Sequence, residues 1–248
     1  DILKFHAVIW PAMLMAAGRE LPRRLLIHGY LTVRDSKMSK TTGNVLDPSA
    51  VIERYGVDAL RYYVLREVRF GGDGNVSYAG VHDRYHGELA NDLGNLVSRS
   101  AAMVARYRDG RVPDGRLDPT IAEALESAAR RFAEHVDAFE LTEALEAVWG
   151  PVRDLNRFVE ERAPWQLAKD PARSGALDDV LYTLVDGIRA VAVMLAAVTP
   201  SSSERILRVV GAGADVAWEQ TRPGLTPAGA VVAADGPLFP RVDEPLQP

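Results

Sequence analysis

Apolar positions change their period along this chain, and the change divides it. In the first segment Phe5, Ile9, Met13 and Ala16 recur at helical spacing until Gly18, which predicts a helix over 2–17. Residues 24–33, rich in Leu, Ile and Val, read as a buried strand. Asp47-Pro48-Ser49 supplies an N-cap and a proline at the first helical position. Gly56-Val57-Asp58 is expected to break that helix and cap the next, over 59–68, whose Leu60, Tyr63, Val64 and Glu67 fall on adjacent turns. Helix, strand, loop, helix is the order of the second half of a nucleotide-binding α/β unit. Phe70-Gly71-Gly72-Asp73-Gly74-Asn75 is the boundary candidate.

Beyond it the strand period is gone. Helical patterns run over 78–109, 119–137, 140–163, 175–198 and 202–210, separated by turn signals such as Pro113-Asp114-Gly115 and Asp170-Pro171. Gly150-Pro151 inside the third is expected to kink or divide it. The pattern predicts an antiparallel helix bundle. The domain expectation is therefore 1–72 as α/β, 73–210 as all-α, and a Gly-, Pro- and Ala-rich tail over 211–248 whose Leu238-Phe239-Pro240-Arg241 packs back on the body.

Composition adds limits. The chain is 47% hydrophobic and 25% charged, ordinary for a globular protein with a real core. It has no cysteine, which excludes disulfides and thiolate metal sites and suits a cytoplasmic location. The apolar run over 190–198 is half the length of a membrane span, so no membrane is expected as partner. A net charge of −5 argues against a surface that grips nucleic acid everywhere, DNA included, but leaves room for a local basic patch.

Lysine usage is the sharpest chemical signal. Only four of the 29 basic residues are lysine, and Lys37 and Lys40 sit together in Lys37-Met38-Ser39-Lys40-Thr41. A mobile ammonium and a rigid guanidinium fork are not interchangeable around phosphate. A loop just after a buried strand of an open α/β sheet is also where ligands bind. The run thus reads as a polyphosphate-binding loop, with a solvated basic turn as the plain alternative.

Other constellations are weighed similarly. His6 and Trp10, four apart, share one helix face, which alone reads as half-buried amphipathic surface. Asn91, Asn95 and Arg99 form a polar stripe, although asparagine is a poor helix residue. Amide edges can read unstacked bases, and an aromatic such as Trp165, presented by Pro164, can stack on one. His82 and His86 lie four apart, but no third ligand is evident and no metal site is expected. Ser201-Ser202-Ser203 with Glu204 reads as a helix start, and the acidic stretch over 123–146 as a solvated face.

Taken together these residues resemble the class I aminoacyl-tRNA synthetases. Lys-Met-Ser-Lys, then Thr-Gly-Asn-Val-Leu-Asp-Pro and Tyr-Gly-Val-Asp-Ala-Leu-Arg, looks like their second signature. Asp1-Ile2-Leu3-Lys4-Phe5-His6 with Trp10-Pro11-Ala12-Met13-Leu14, His28-Gly29-Tyr30-Leu31, the segment over 91–99, and Glu161-Arg162-Ala163-Pro164-Trp165 are similar to the methionyl-tRNA synthetases in particular. The resemblance implies the end of a Rossmann-like catalytic domain followed by an all-α anticodon-binding bundle. It implies methionine, ATP with Mg²⁺, and methionine tRNA as partners.

By residue, it implies catalytic roles for Lys37 and Lys40. ATP binding would fall to Asp1, His28, Gly29 and the loop Lys37, Met38, Ser39, Lys40 and Thr41. Methionine binding would fall to Asp1, His6 and Trp10. Asn91, Asn95, Arg99, Pro164 and Trp165 would bind a CAU anticodon. The first catalytic signature and an inserted domain that often holds zinc have no counterpart here. The expectation is therefore a C-terminal portion that is inactive alone and unstable over its first 70 residues. The isoleucine, valine and leucine synthetases share the lysine signature, but the Phe5-to-Ala12 helix and the asparagine stripe argue against them. A non-catalytic tRNA-binding module is the rival outside the enzyme class.

Overall fold

The structure is a computed structural model and describes residues 2–33, 36–37, 46–233 and 236–247. The first helix is α-helical over Ile2–Lys4, π-helical over Phe5–Ile9 and α-helical again over Trp10–Ala16. Gly18, at φ 63°, stops it as expected. None of its residues is buried, although Phe5, Val8 and Met13 are apolar.

The strand expected over 24–33 shrinks to three residues. Strand β1 is Leu31–Val33, and it pairs antiparallel with β2, Ser36–Lys37, and parallel with β3, Gly74–Asn75. Residues 24–30 carry no regular element, and Leu25, Leu26 and Ile27 are exposed rather than buried. A strand is buried by its neighbours, and the described sheet, in the order β2-β1-β3, has too few to cover this run. Lys37 lies on β2, opposite Thr32, not in an open loop. β3 falls within the expected boundary, where a glycine-rich pattern hid it.

Helix Pro48–Tyr55 begins as read, with the Asp47 carboxylate accepting from the Ser49 amide at 2.9 Å. Helix Val57–Glu67 begins two residues earlier than expected, directly after Gly56 at φ 89°. Asp58 does not cap it. Its carboxylate is buried and accepts from the Ser202 amide at 2.6 Å, in the first turn of helix Pro200–Val209.

The bundle follows the predicted order. Its first long helix runs Tyr78–Arg84, turns π-helical over Tyr85–Gly94 and continues as Asn95–Arg108. Helices Pro119–Asp137, Leu141–Arg162, Ser174–Leu195 and Pro200–Val209 complete it. Helix Leu141–Arg162 is not divided at Pro151. An interior proline costs about 3 kcal/mol. Here Trp149, Val152 and Leu155 bury completely on either side of it, and that packing holds the helix together. Helix Ser174–Leu195 is buried on every face from Thr183 to Leu195, as a central core helix must be. No helix among the described residues is long and apolar enough to cross a membrane.

Helix Val57–Glu67 lies against this bundle rather than apart from it. Tyr62 and Tyr63 belong to its core, and Tyr62 packs on Trp149 with ring centroids 4.8 Å apart. Arg61 donates to the Ala197 and Val198 carbonyls, beyond the end of the central helix. At the other end of the chain, Leu238 and Phe239 are buried, Phe239 meets Tyr85 edge-on, and the Tyr85 hydroxyl donates to the Pro240 carbonyl at 2.7 Å.

Candidate active site and nucleic-acid interface

His6 and Trp10 stand on one face of the first helix, with ring centroids 6.4 Å apart at 69°. The Ile2 carbonyl accepts from His6 Nδ1 at 2.9 Å. With Phe5, Ile9 and Met13 they line a shallow depression of about 460 Å³. Trp10 is 42% and Met13 65% exposed. An apolar face of this kind marks a binding surface or the seat of another part of the protein.

His28 and Gly29 sit at the approach to β1. His28 Nδ1 donates to the Gly29 carbonyl at 2.8 Å, and its ring meets Phe70 edge-on at 6.2 Å. Gly29 is pressed against the Gly72 backbone, and a Cβ there would overlap the Gly72 carbonyl. Around it the Tyr30 amide donates to Asp73 Oδ1 at 2.7 Å and the Gly74 amide to the Tyr30 carbonyl at 2.8 Å. Through β1 this corner is tied to Lys37 on β2. Asp1, Met38, Ser39, Lys40 and Thr41 lie outside the described residues.

The second candidate site is on the bundle. Asn91 belongs to the π-helical stretch and Asn95 opens the α-helix after it; both are exposed, and neither amide has a partner among the described residues. Arg99 donates to Glu160 at 2.6 Å, five residues before Trp165. Helix Leu141–Arg162 ends where Ala163 enters the left-handed region, at φ 42° and ψ 61°. Pro164 then starts the turn Pro164–Leu167. Pro164 is buried, while Trp165 packs against the core and is only partly buried. The Arg99–Glu160 pair thus ties the stripe to the helix end that presents Trp165.

Sequence reasoning missed the network beneath this stripe. Glu88, three residues before Asn91, accepts from the Tyr62 hydroxyl, from Arg66 at 3.2 Å and from Arg84 at 2.9 Å. Arg66 also pairs with Glu146, which takes Arg153 at 2.6 Å. Burial, and then the Glu88 charge, push the Tyr62 hydroxyl well above its ordinary range. Burial and Glu88 also raise the Asp92 carboxyl, against Arg153. Burial alone would raise Glu146, but Arg153 and Arg66 hold it below the ordinary carboxylate range. Only the Arg84–Glu88 spacing was visible in sequence; Arg66, Glu88 and Glu146 meet through tertiary packing.

His82 and His86 serve the fold. His82 Nδ1 is 3.1 Å from the Tyr55 hydroxyl, and His86 Nε2 donates to the Val242 carbonyl at 2.7 Å. Among the described residues no three His, Cys, Asp or Glu side chains converge as metal ligands.

Comparison with known proteins narrows the reading. A family model described as tRNA synthetases class I (M) matches residues 1–101. The methionine–tRNA ligase of Caldanaerobacter subterraneus subsp. tengcongensis is 38% identical over 248 residues, covering 98% of this chain and 39% of its own length. That of Deinococcus radiodurans is 42% identical over 247 residues, covering 97% of this chain and 36% of its own. Along nearly its whole length the chain is similar to methionyl-tRNA synthetases. Among solved structures, Mycobacterium tuberculosis methionyl-tRNA synthetase bound by methionyl-adenylate superposes with a TM-score of 0.87 at 40% identity. That match covers 97% of this chain and 48% of the other. The matched fold is that of a class I synthetase and is mostly helical here. This chain spans less than half the length of each of these relatives.

Proposed function

We propose that this chain works as part of a methionine–tRNA ligase, which activates methionine with ATP and transfers it to methionine tRNA. The observation that carries the reading is identity of 38–42% along nearly the whole chain to methionine–tRNA ligases. A relative that binds methionyl-adenylate shares the fold at 40% identity, which supports the same intermediate. In this reading residues 1–72 close a Rossmann-like catalytic domain, 73–210 form the anticodon-binding bundle, and 211–248 pack back on the body.

The chemistry follows from the residues. The methionine carboxylate attacks the α-phosphorus of ATP, and charge builds on the departing pyrophosphate. Lys37 and Lys40 meet that charge, stabilising the transition state more than the ground state. Ser39 and Thr41 donate hydroxyl hydrogen bonds, Met38 lies in the same ATP-binding loop, and Asp1, His28 and Gly29 complete the nucleotide site. Mg²⁺ enters with the nucleotide's phosphates as part of the substrate. Asp1, His6 and Trp10 form the methionine pocket, where an aromatic edge suits a thioether. Asn91, Asn95 and Arg99 read the CAU anticodon, with Trp165 on Pro164 as the stacking platform.

The test separates the two sites in the complete ligase. Lys37→Ala is expected to slow methionine-dependent pyrophosphate exchange at least tenfold with little change in methionine affinity. Trp165→Ala is expected to abolish tRNA charging while exchange stays intact. Unchanged exchange in the first, or normal charging by the second, refutes the corresponding assignment.

A further inference from the structure

The end of the bundle holds a cleft of about 470 Å³ that the proposed sites do not use. Phe158, Leu167 and Val180 give it an apolar lining, and Arg116, Arg162 and Arg173 line it with charge. Three carboxylates reach it too, but each is engaged within the fold. Asp118 accepts from the Thr120 and Ile121 amides through Oδ1 and from Arg162 at 2.8 Å through Oδ2. Asp179 accepts from the Arg116 backbone amide at 2.7 Å, and Glu161 faces Arg157 at 3.7 Å. The Arg116 and Arg173 guanidinium groups differ. Both residues are exposed, and among the described residues neither side chain has an acceptor. Arg162 lies over the Phe158 ring at 5.2 Å, a planar cation backed by an aromatic face.

Two unpaired guanidinium forks beside an apolar wall suit a phosphate with its sugar and base, because the fork matches phosphate oxygens in pairs. The cleft also adjoins the candidate RNA site. Leu167 belongs to the same turn as Trp165, and Glu161 follows the Glu160 that holds Arg99. We propose that this cleft binds the tRNA backbone next to the anticodon, with a phosphate on Arg116 and Arg173 and the nucleotide's apolar face over Phe158 and Leu167. The inference rests on the nucleic-acid reading of Asn91 to Trp165, and it adds a contact that recognises backbone rather than sequence.

The experiment is fluorescence anisotropy with the full chain, across a salt series, using an anticodon stem–loop RNA that carries CAU and the same stem with a scrambled loop. The R116Q/R173Q variant is expected to bind both RNAs about tenfold more weakly. Its log–log salt slope should shrink by about 0.7 to 0.9, the contribution of the one phosphate contact that is lost. Its preference for CAU should persist. R116K/R173K should recover the slope, because the charge returns, and thermal melting should not change, because both side chains are exposed. Unchanged affinity and slope in R116Q/R173Q overturn the proposal, and loss of CAU preference in Trp165→Ala then leaves the anticodon reading standing. If the unaltered chain binds both loops equally while R116Q/R173Q still lowers the slope, the anticodon reading fails and the backbone contact stands.

Discussion

Trp10 shows what a single residue can and cannot say about itself. Its spacing from His6 named one helix face, and the structure sets the two rings edge to face across an open apolar depression. A ring that walls a thioether contributes about 0.3–1.5 kcal/mol. Trp10→Ala is therefore expected to raise the methionine KM by about two- to tenfold with a smaller change in the ATP KM, read by pyrophosphate exchange. Equal changes in both would remove the side chain from the pocket. Ala163 is the opposite case. Nothing in its identity marks it, yet it takes a left-handed conformation that costs an ordinary residue about 1–2 kcal/mol, and that turn is what places Trp165. The candidate residues were readable because their chemistry is unusual for their positions. The conformations that aim them were not.

Elements divide in the same way. Helices with strong periodicity appear where the pattern put them, because a 3.6-residue apolar repeat has one good way to bury itself. The short strands do not announce themselves, because two or three residues carry no period. Their stability comes from close approach, and Gly29 against Gly72 is the tightest point. Gly29→Ala forces those backbones apart. It is expected to destabilise the protein by about 1–3 kcal/mol in urea unfolding, and to slow adenylation as His28 moves with it. An alanine variant as stable and active as the parent would mean that this corner yields freely. The π-helical turn over Tyr85–Gly94 was equally hidden, since it is sustained by what grips it from outside. Glu88 holds Tyr62, Arg66 and Arg84, and Phe239 lies against Gly94.

At the scale of the molecule, helix Val57–Glu67 and the tail fasten the two halves of the pattern together. The tail is held where His86 donates to Val242 and Tyr85 to Pro240, beside His82 on Tyr55. Burial, then the neighbouring His86 and Arg54, lower the His82 pKa from 6.5 against the raising effect of Asp83. A depressed folded-state pKa means that the unfolded chain takes the proton more readily. The stabilisation is present above pH 6.5 and is lost as pH falls through the folded value. Tm is expected to drop as pH is lowered from 6.5 toward 5, and His82→Gln should flatten that slope; an unaltered slope would exclude this histidine. By itself the sequence determined the helix bundle, the lysine signature, the face that His6 shares with Trp10 and the exposed stripe of Asn91, Asn95 and Arg99, because these are local matters of period, charge and side-chain chemistry. Only the tertiary structure decided that Asp58 caps a helix 144 positions away, that Arg66, Glu88 and Glu146 share one network, and that Arg116 and Arg173 border one cleft. Those are pairings between segments far apart in the chain, and no local pattern of polar and apolar residues encodes which of many possible partners a buried charge will meet.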